Sequence, residues 1–135
     1  MFFFFDKDES IFENIKHAFE DGTEYWNARE LQHVLEYTDW RNFLKVIDKA
    51  KTACENSGIF VEDHFVDVNK MVEIGSGAER VIEDIQLSRY ACYLIVQNGD
   101  PRKEVIAIGQ TYFAVKTRQQ EIIENYDVLN HSLYT

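Results

Sequence analysis

Lys70-Met71-Val72-Glu73-Ile74-Gly75-Ser76-Gly77-Ala78 is the stretch that decides the fold class of this 135-residue chain. A β-compatible run, Lys70 to Ile74, meets a glycine-rich turn, and a second run, Glu79 to Ile85, follows it. That arrangement predicts a β-hairpin. Val72 and Ile74 share one side-chain phase, as do Val81 and Ile85. Residues 59–87 read as strand and loop, and the segments around them read as helix. The expected fold is α+β: mainly helical, with a helix-turn-helix-like pair, a small β-hairpin and a long C-terminal helix. One domain is expected over 1–135, with a core over 12–124 and terminal segments at 1–11 and 125–135.

Upstream of the hairpin, Asn27-Ala28-Arg29-Glu30 has the form of a capping box, with Asn27 as side-chain acceptor and a carboxylate three positions on. Leu31, Val34 and Leu35 continue at helical spacing, so a helix is expected from about Ala28 to Glu36. Thr38 or Asp39 can cap the next one, whose apolar face is Trp40, Phe43, Leu44, Ile47, Ala50 and Cys54. Gly58 is a natural stop. The opposite face carries Arg41, Lys45 and Lys49 in one stripe, diluted by Asp48. Two helices joined by about two residues form either a DNA-reading helix-turn-helix or an ordinary helical hairpin.

Downstream, Ser88 can cap a helix that is apolar nearly all round, Tyr90 to Val96, which predicts the buried centre. Asn98-Gly99 ends it. Asp100-Pro101 is expected to start a last helix, with Asp100 as cap and Pro101 at the first position. That helix should run to about Glu124, with Val105, Ile108, Gly109, Tyr112 and Val115 inward and Lys116 and Arg118 exposed. Gly109 lowers helix propensity, so a closely packed neighbour is expected there. Tyr126 to Thr135 has no clear period and reads as a loop or docking tail.

Hydrophobic residues make up 45% of the chain, which excludes a disordered acidic tail. The net charge is −10, which argues against tight nonspecific binding to nucleic acid. That charge is uneven. Residues 28–57 carry 5 basic and 5 acidic groups, and residues 89–120 carry 5 and 2, while the rest is acidic. An anionic partner should therefore meet those two stretches. No apolar run is long enough for a membrane helix. Met1-Phe2-Phe3-Phe4-Phe5-Asp6 lacks the positive n-region of a signal peptide, so it is expected to dock or fray. Cys54 and Cys92 fall on apolar helical positions and read as buried reduced thiols, which suits the cytoplasm.

Motifs for catalysis are missing. The four histidines have no recognised metal spacing, and Glu62-Asp63-His64 reads as a solvated acidic loop rather than a ligand set. Gly75-Ser76-Gly77 lacks the Gly-Lys-Ser/Thr of a phosphate loop, and no Gly-x-Ser-x-Gly elbow is present. The expectation is a non-enzymatic protein with no cofactor and no metal.

The stretch Leu87-Ser88-Arg89-Tyr90-Ala91-Cys92-Tyr93-Leu94-Ile95-Val96-Gln97-Asn98-Gly99-Asp100-Pro101 resembles the DNA-damage-inducible protein D family. Ala50 to Gly58, Met71 to Ser76, Gly109 to Ala114 and Thr117 to Glu121 extend the likeness over roughly residues 12–121. That family is similar in turn to the N-terminal domain of phage and viral BRO/antirepressor proteins. The resemblance implies a mixed α+β domain, induction in the bacterial DNA-damage (SOS) response, a cytoplasmic location and no enzymatic chemistry. It also implies DNA binding through the helical pair, here through Arg41, Asn42, Lys45 and Lys49, with Arg89 as the matching basic residue at the start of the central helix. A structural arginine tying the acidic hairpin to that helix is the other reading of Arg89.

The chain departs from the resemblance in three ways. The turn between the first two helices often holds glycine in relatives, and here reads Glu36-Tyr37. The hairpin carries Glu73, Glu79 and Glu83 where relatives tend to carry lysine, which weakens a contact to phosphates. Relatives continue into a charged helical region, so functions of that region should be missing or altered here. Two functions follow as expectations. One is a DNA-binding regulatory domain. The other is a protein-binding modulator of recombinational repair, with acidic surfaces meeting a basic partner such as a recombinase. Apolar side chains on the last helix, Tyr112, Phe113, Ile122 and Ile123, further predict a homodimer.

Overall fold

The structure is a computed structural model that describes residues 9–133, with side-chain surroundings for residues 9–125. Its elements in chain order are α1 (Ser10–Asn14), β1 (His17–Ala18), β2 (Glu24–Asn27), α2 (Ala28–Val34), α3 (Trp40–Asn56), a 3-10 turn (Val61–Asp63), β3 (Phe65–Glu73), β4 (Glu79–Leu87), α4 (Arg89–Gln97) and α5 (Glu104–Leu133). The Met1 to Asp6 run lies outside the described residues.

The α+β class holds, but a mainly helical domain with a small hairpin overstates the helix. The strands form one antiparallel sheet of four, in the order β1-β2-β4-β3. Two features account for the difference. Each hairpin arm runs nine residues, because Phe65 continues the ladder to pair with Leu87, well beyond the Lys70–Ile74 core of the motif. Trp26 and Asn27 then pair with Leu87 and Gln86 on the other edge of β4. A turn at Asp21-Gly22 returns the chain from β1 to β2. Gly22 has φ +88° there, and Asp21 accepts the Thr23 N–H at 2.9 Å. Asp-Gly is a common hairpin-turn pair because such turns need positive φ.

The core lies between the base of the sheet and the helices. α4 buries Ala91, Cys92, Leu94, Ile95 and Val96, and α3 buries Phe43, Ile47, Ala50 and Cys54, the face its 3.6 period predicts. Ser88 caps α4 by accepting the Ala91 N–H, and Asp39 caps α3 by accepting the Arg41 N–H. Trp26 is fully buried, and its indole N–H donates to the Phe12 carbonyl at 3.0 Å, which satisfies its one polar atom. Cys54 and Cys92 are buried free thiols.

The last helix differs from expectation at both ends. Asp100 does not cap it. Asp100 instead accepts the Arg102 N–H in a turn, and α5 begins at Glu104 and runs to Leu133, through the segment expected to be a loop or docking tail. The buried stripe is Ile106, Gly109, Tyr112 and Phe113, while Val115 is exposed. Gly109 is where close packing occurs. A Cβ there would sit 2.9 Å from Val96 Cγ1 and 3.0 Å from the Phe12 ring.

Candidate nucleic-acid interface

α2 and α3 are joined by Leu35 to Asp39, a longer connection than the two residues expected. Its geometry depends on Glu36, which has φ +61°. That left-handed conformation is unfavourable for a residue with a Cβ and free for glycine. The turn is held from both sides. Gln32, nearly buried, accepts the Tyr37 N–H through its backbone and donates to the Tyr37 carbonyl through its side chain. The Lys103 amine donates to the Glu36 carbonyl at 3.3 Å and sits over the Tyr37 ring.

The capping box forms differently from its motif. Asn27 is the extended residue before α2, yet its side chain caps nothing; it donates to Glu30 at 2.8 Å. The N–H of Arg29 goes instead to Oδ1 of Asp84 on β4 at 3.0 Å, and the Arg29 guanidinium donates to the Glu83 carbonyl. Asp84 is buried, accepts the Ile85 N–H as well, and pairs with Lys70 at 2.8 Å. A carboxylate between Ile82 and Ile85 was the available signal for such a role, but its partner lies 55 residues away.

Arg41, Asn42, Lys45 and Lys49 are all exposed on the outer face of α3. Among the described residues, none of the three cations is in an ion pair. Elsewhere most cations are engaged. Lys16, Lys70, Arg89, Arg102, Lys116 and Arg118 each pair with a carboxylate, and Arg29 stacks on Trp40 with its guanidinium carbon 4.0 Å from the ring centre. Asp48, exposed beside the stripe, is also in no ion pair among the described residues.

Arg89 stands apart from that stripe. It lies at the start of α4 with one guanidinium nitrogen 3.9 Å from Glu24, so it is tied to β2 and not to the acidic hairpin. Glu24 belongs to a network that joins α1, β2 and α5. Lys16 bridges Glu13 at 2.7 Å and Glu24 at 2.8 Å, Lys116 lies 3.4 Å from Glu24, and the Tyr112 hydroxyl donates to Glu13 at 2.6 Å. Burial would raise both carboxyls, but the Lys16 hydrogen bond, with help from Lys116, outweighs it and holds them below the ordinary value. Lys116, expected to be exposed, is mostly buried by this network. Tyr112 and Phe113 are core residues rather than a docking face, while Ile122 and Ile123 are exposed.

Among the described residues no three His, Cys, Asp or Glu side chains are grouped to hold a metal ion, and no helix is long and apolar enough to cross a membrane. Residues 14–114 match the family model described as "BRO family, N-terminal domain". Over 114 residues the chain is 55% identical to "DNA damage-inducible protein D" of Escherichia coli (strain K12), a match covering 84% of this chain. The matched region spans 42% of that relative's length. No solved structure matches the chain.

Proposed function

The chain belongs to the BRO N-terminal domain family, and from that membership we propose that it is a regulatory domain of the bacterial DNA-damage response that contacts DNA through α3. The observation that carries this reading is the set of cations Arg41, Lys45 and Lys49 on one exposed helix face, in no ion pair among the described residues, where most other cations are engaged. Cations in a row along a helix match a row of phosphates. Asn42, exposed near the N-terminus of α3, is suited to a base edge. Arg89, held at Glu24, takes no part. The acidic hairpin faces away from this role, since Glu73 and Glu79 at its tip would repel phosphates. The domain works without catalysis of its own. Its buried free thiols suit a reducing cytoplasm.

The test is a titration of labelled duplex DNA at several salt concentrations. The expected result is binding at about 50 mM salt that weakens steeply as salt rises. Arg41→Ala with Lys45→Ala should weaken it for all sequences and lower the log–log salt slope by about one for each phosphate no longer neutralised. Asn42→Ala should change sequence preference more than the salt slope. Failure of duplex and single-stranded DNA to bind at low salt would reject the reading.

A further inference from the structure

The hairpin is much longer than the core needs. Only its base is buried, through Phe65, Ile85 and Leu87, and the remainder projects. Met71 and Val81 are directly opposite in the ladder and lie on the same side of the sheet as those three residues. They are 60% and 56% exposed, an apolar pair with no cover among the described residues.

What surrounds that pair has one sign. Toward the tip, Glu73 stands directly opposite Glu79, and toward the base lie Glu83 and Asp67, all exposed. None of these four is in an ion pair among the described residues. Like charges directly opposite across a ladder are destabilising, so Glu73 and Glu79 weaken the hairpin that carries them. The hairpin's own cations do not relieve this. Lys70 and Arg80 alternate to the other face, where Lys70 is drawn to Asp84. The same acidic face continues into a groove of about 310 Å³ against α3, lined by Trp40, Leu44 and Lys51 on the helix and Asp67, Asn69 and Glu83 on the hairpin.

We infer that this face, the Met71–Val81 pair and the groove beside it, is a docking surface for a lysine- or arginine-rich segment of a partner protein. Apolar side chains of the segment cover Met71 and Val81. Its cations sit between Glu73 and Glu79 and along Glu83 and Asp67, relieving the repulsion that the free hairpin carries. Leu44, half-buried on the helical wall of the groove, offers an apolar surface to an aliphatic stem. Nucleic acid is not the occupant, because its phosphates meet four carboxylates here. The site is independent of the DNA contact proposed for the outer face of α3, and either can fail alone.

Fluorescence polarisation of a labelled short peptide alternating lysine and leucine tests it, with an alternating glutamate–leucine peptide beside it. The lysine peptide should bind the full chain and the glutamate peptide should not. Glu73→Lys with Glu79→Lys should weaken binding about tenfold or more, equivalent to about 1.4 kcal/mol. Met71→Ser, which keeps every charge, should weaken it as well. Glu20→Lys with Glu62→Lys makes the same charge change at exposed sites elsewhere and should leave binding within about twofold. Circular dichroism of each variant confirms that the hairpin changes leave the fold intact. Equal loss in both charge-reversed pairs, no binding of the lysine peptide, or equal binding of both peptides would overturn the proposal. So would concentration-dependent self-association that both the hairpin pair and Arg41→Ala abolish, since the occupant would then be a second copy.

Discussion

The carboxylate of Asp84, on β4, accepts the backbone N–H of Arg29 in the first turn of α2, 3.0 Å away and 55 positions earlier in the chain. A strand side chain thus performs the capping that the local motif assigns to Asn27. Asp84→Ala removes the acceptor for the part-buried Arg29 N–H and the buried Ile85 N–H and leaves Lys70 without its partner. It should cost roughly 2–3 kcal/mol. Asn27→Ala, which removes only a donation to Glu30, should cost about 1 kcal/mol or less. Urea midpoints compare the two, and the reverse order would exclude Asp84 as the cap.

Glu36 holds φ +61° in the connection between α2 and α3. Its carbonyl, not its side chain, makes the contact to Lys103. Glu36→Gly should therefore raise the unfolding free energy by up to about 1 kcal/mol, the left-handed penalty less the extra freedom of the unfolded chain. Glu36→Ile should lower it. Thermal melts of both variants moving the same way would show that this backbone conformation is not the controlling factor.

Gly109 offers the opposite case within a helix. Alanine is the better helix former by roughly 1 kcal/mol, but its Cβ would press on Val96 and on the buried Phe12 ring. Gly109→Ala should lose about 1–2 kcal/mol net. Gly109→Ala with Val96→Ala should then lose less than the two single costs combined. Strict additivity in denaturant melts would contradict the contact.

Acid should weaken the joint between α1, β2 and α5. Glu13 and Glu24 have folded values below the ordinary 4.5, so their stabilisation is complete above that pH and is lost as pH falls through the folded values. Lys16 is shifted up, so its share fails only in strong alkali. Urea midpoints between pH 7 and about pH 3 should fall less steeply for Glu13→Gln than for the parent chain. Parallel curves would show that the network carries no acid linkage.

What could be read from the sequence follows from the range of each interaction. The inward face of α3, the Ser88 and Asp39 caps and the exposure of Arg41, Lys45 and Lys49 are properties of neighbours within a helical turn or two, and period and capping chemistry reveal them. β1 is two residues long and β2 four, too short for an alternation to stand out. The outer half of the hairpin hid itself differently. Val66, Val68 and Val72 share the phase opposite to Phe65 and Met71, so the apolar alternation does not mark the face that carries Met71 and Val81. The tie of Arg89 to Glu24 and of Asp84 to Arg29 exists only once distant segments meet, and no local pattern carries it.

α5 gives the family boundary a mechanical meaning. The match to the BRO N-terminal domain stops at residue 114, yet the helix continues unbroken to Leu133. A limit drawn by sequence similarity therefore falls inside a stiff rod and not in a hinge. The residues beyond that limit are therefore helically continuous with the turns that bury Ile106, Tyr112 and Phe113.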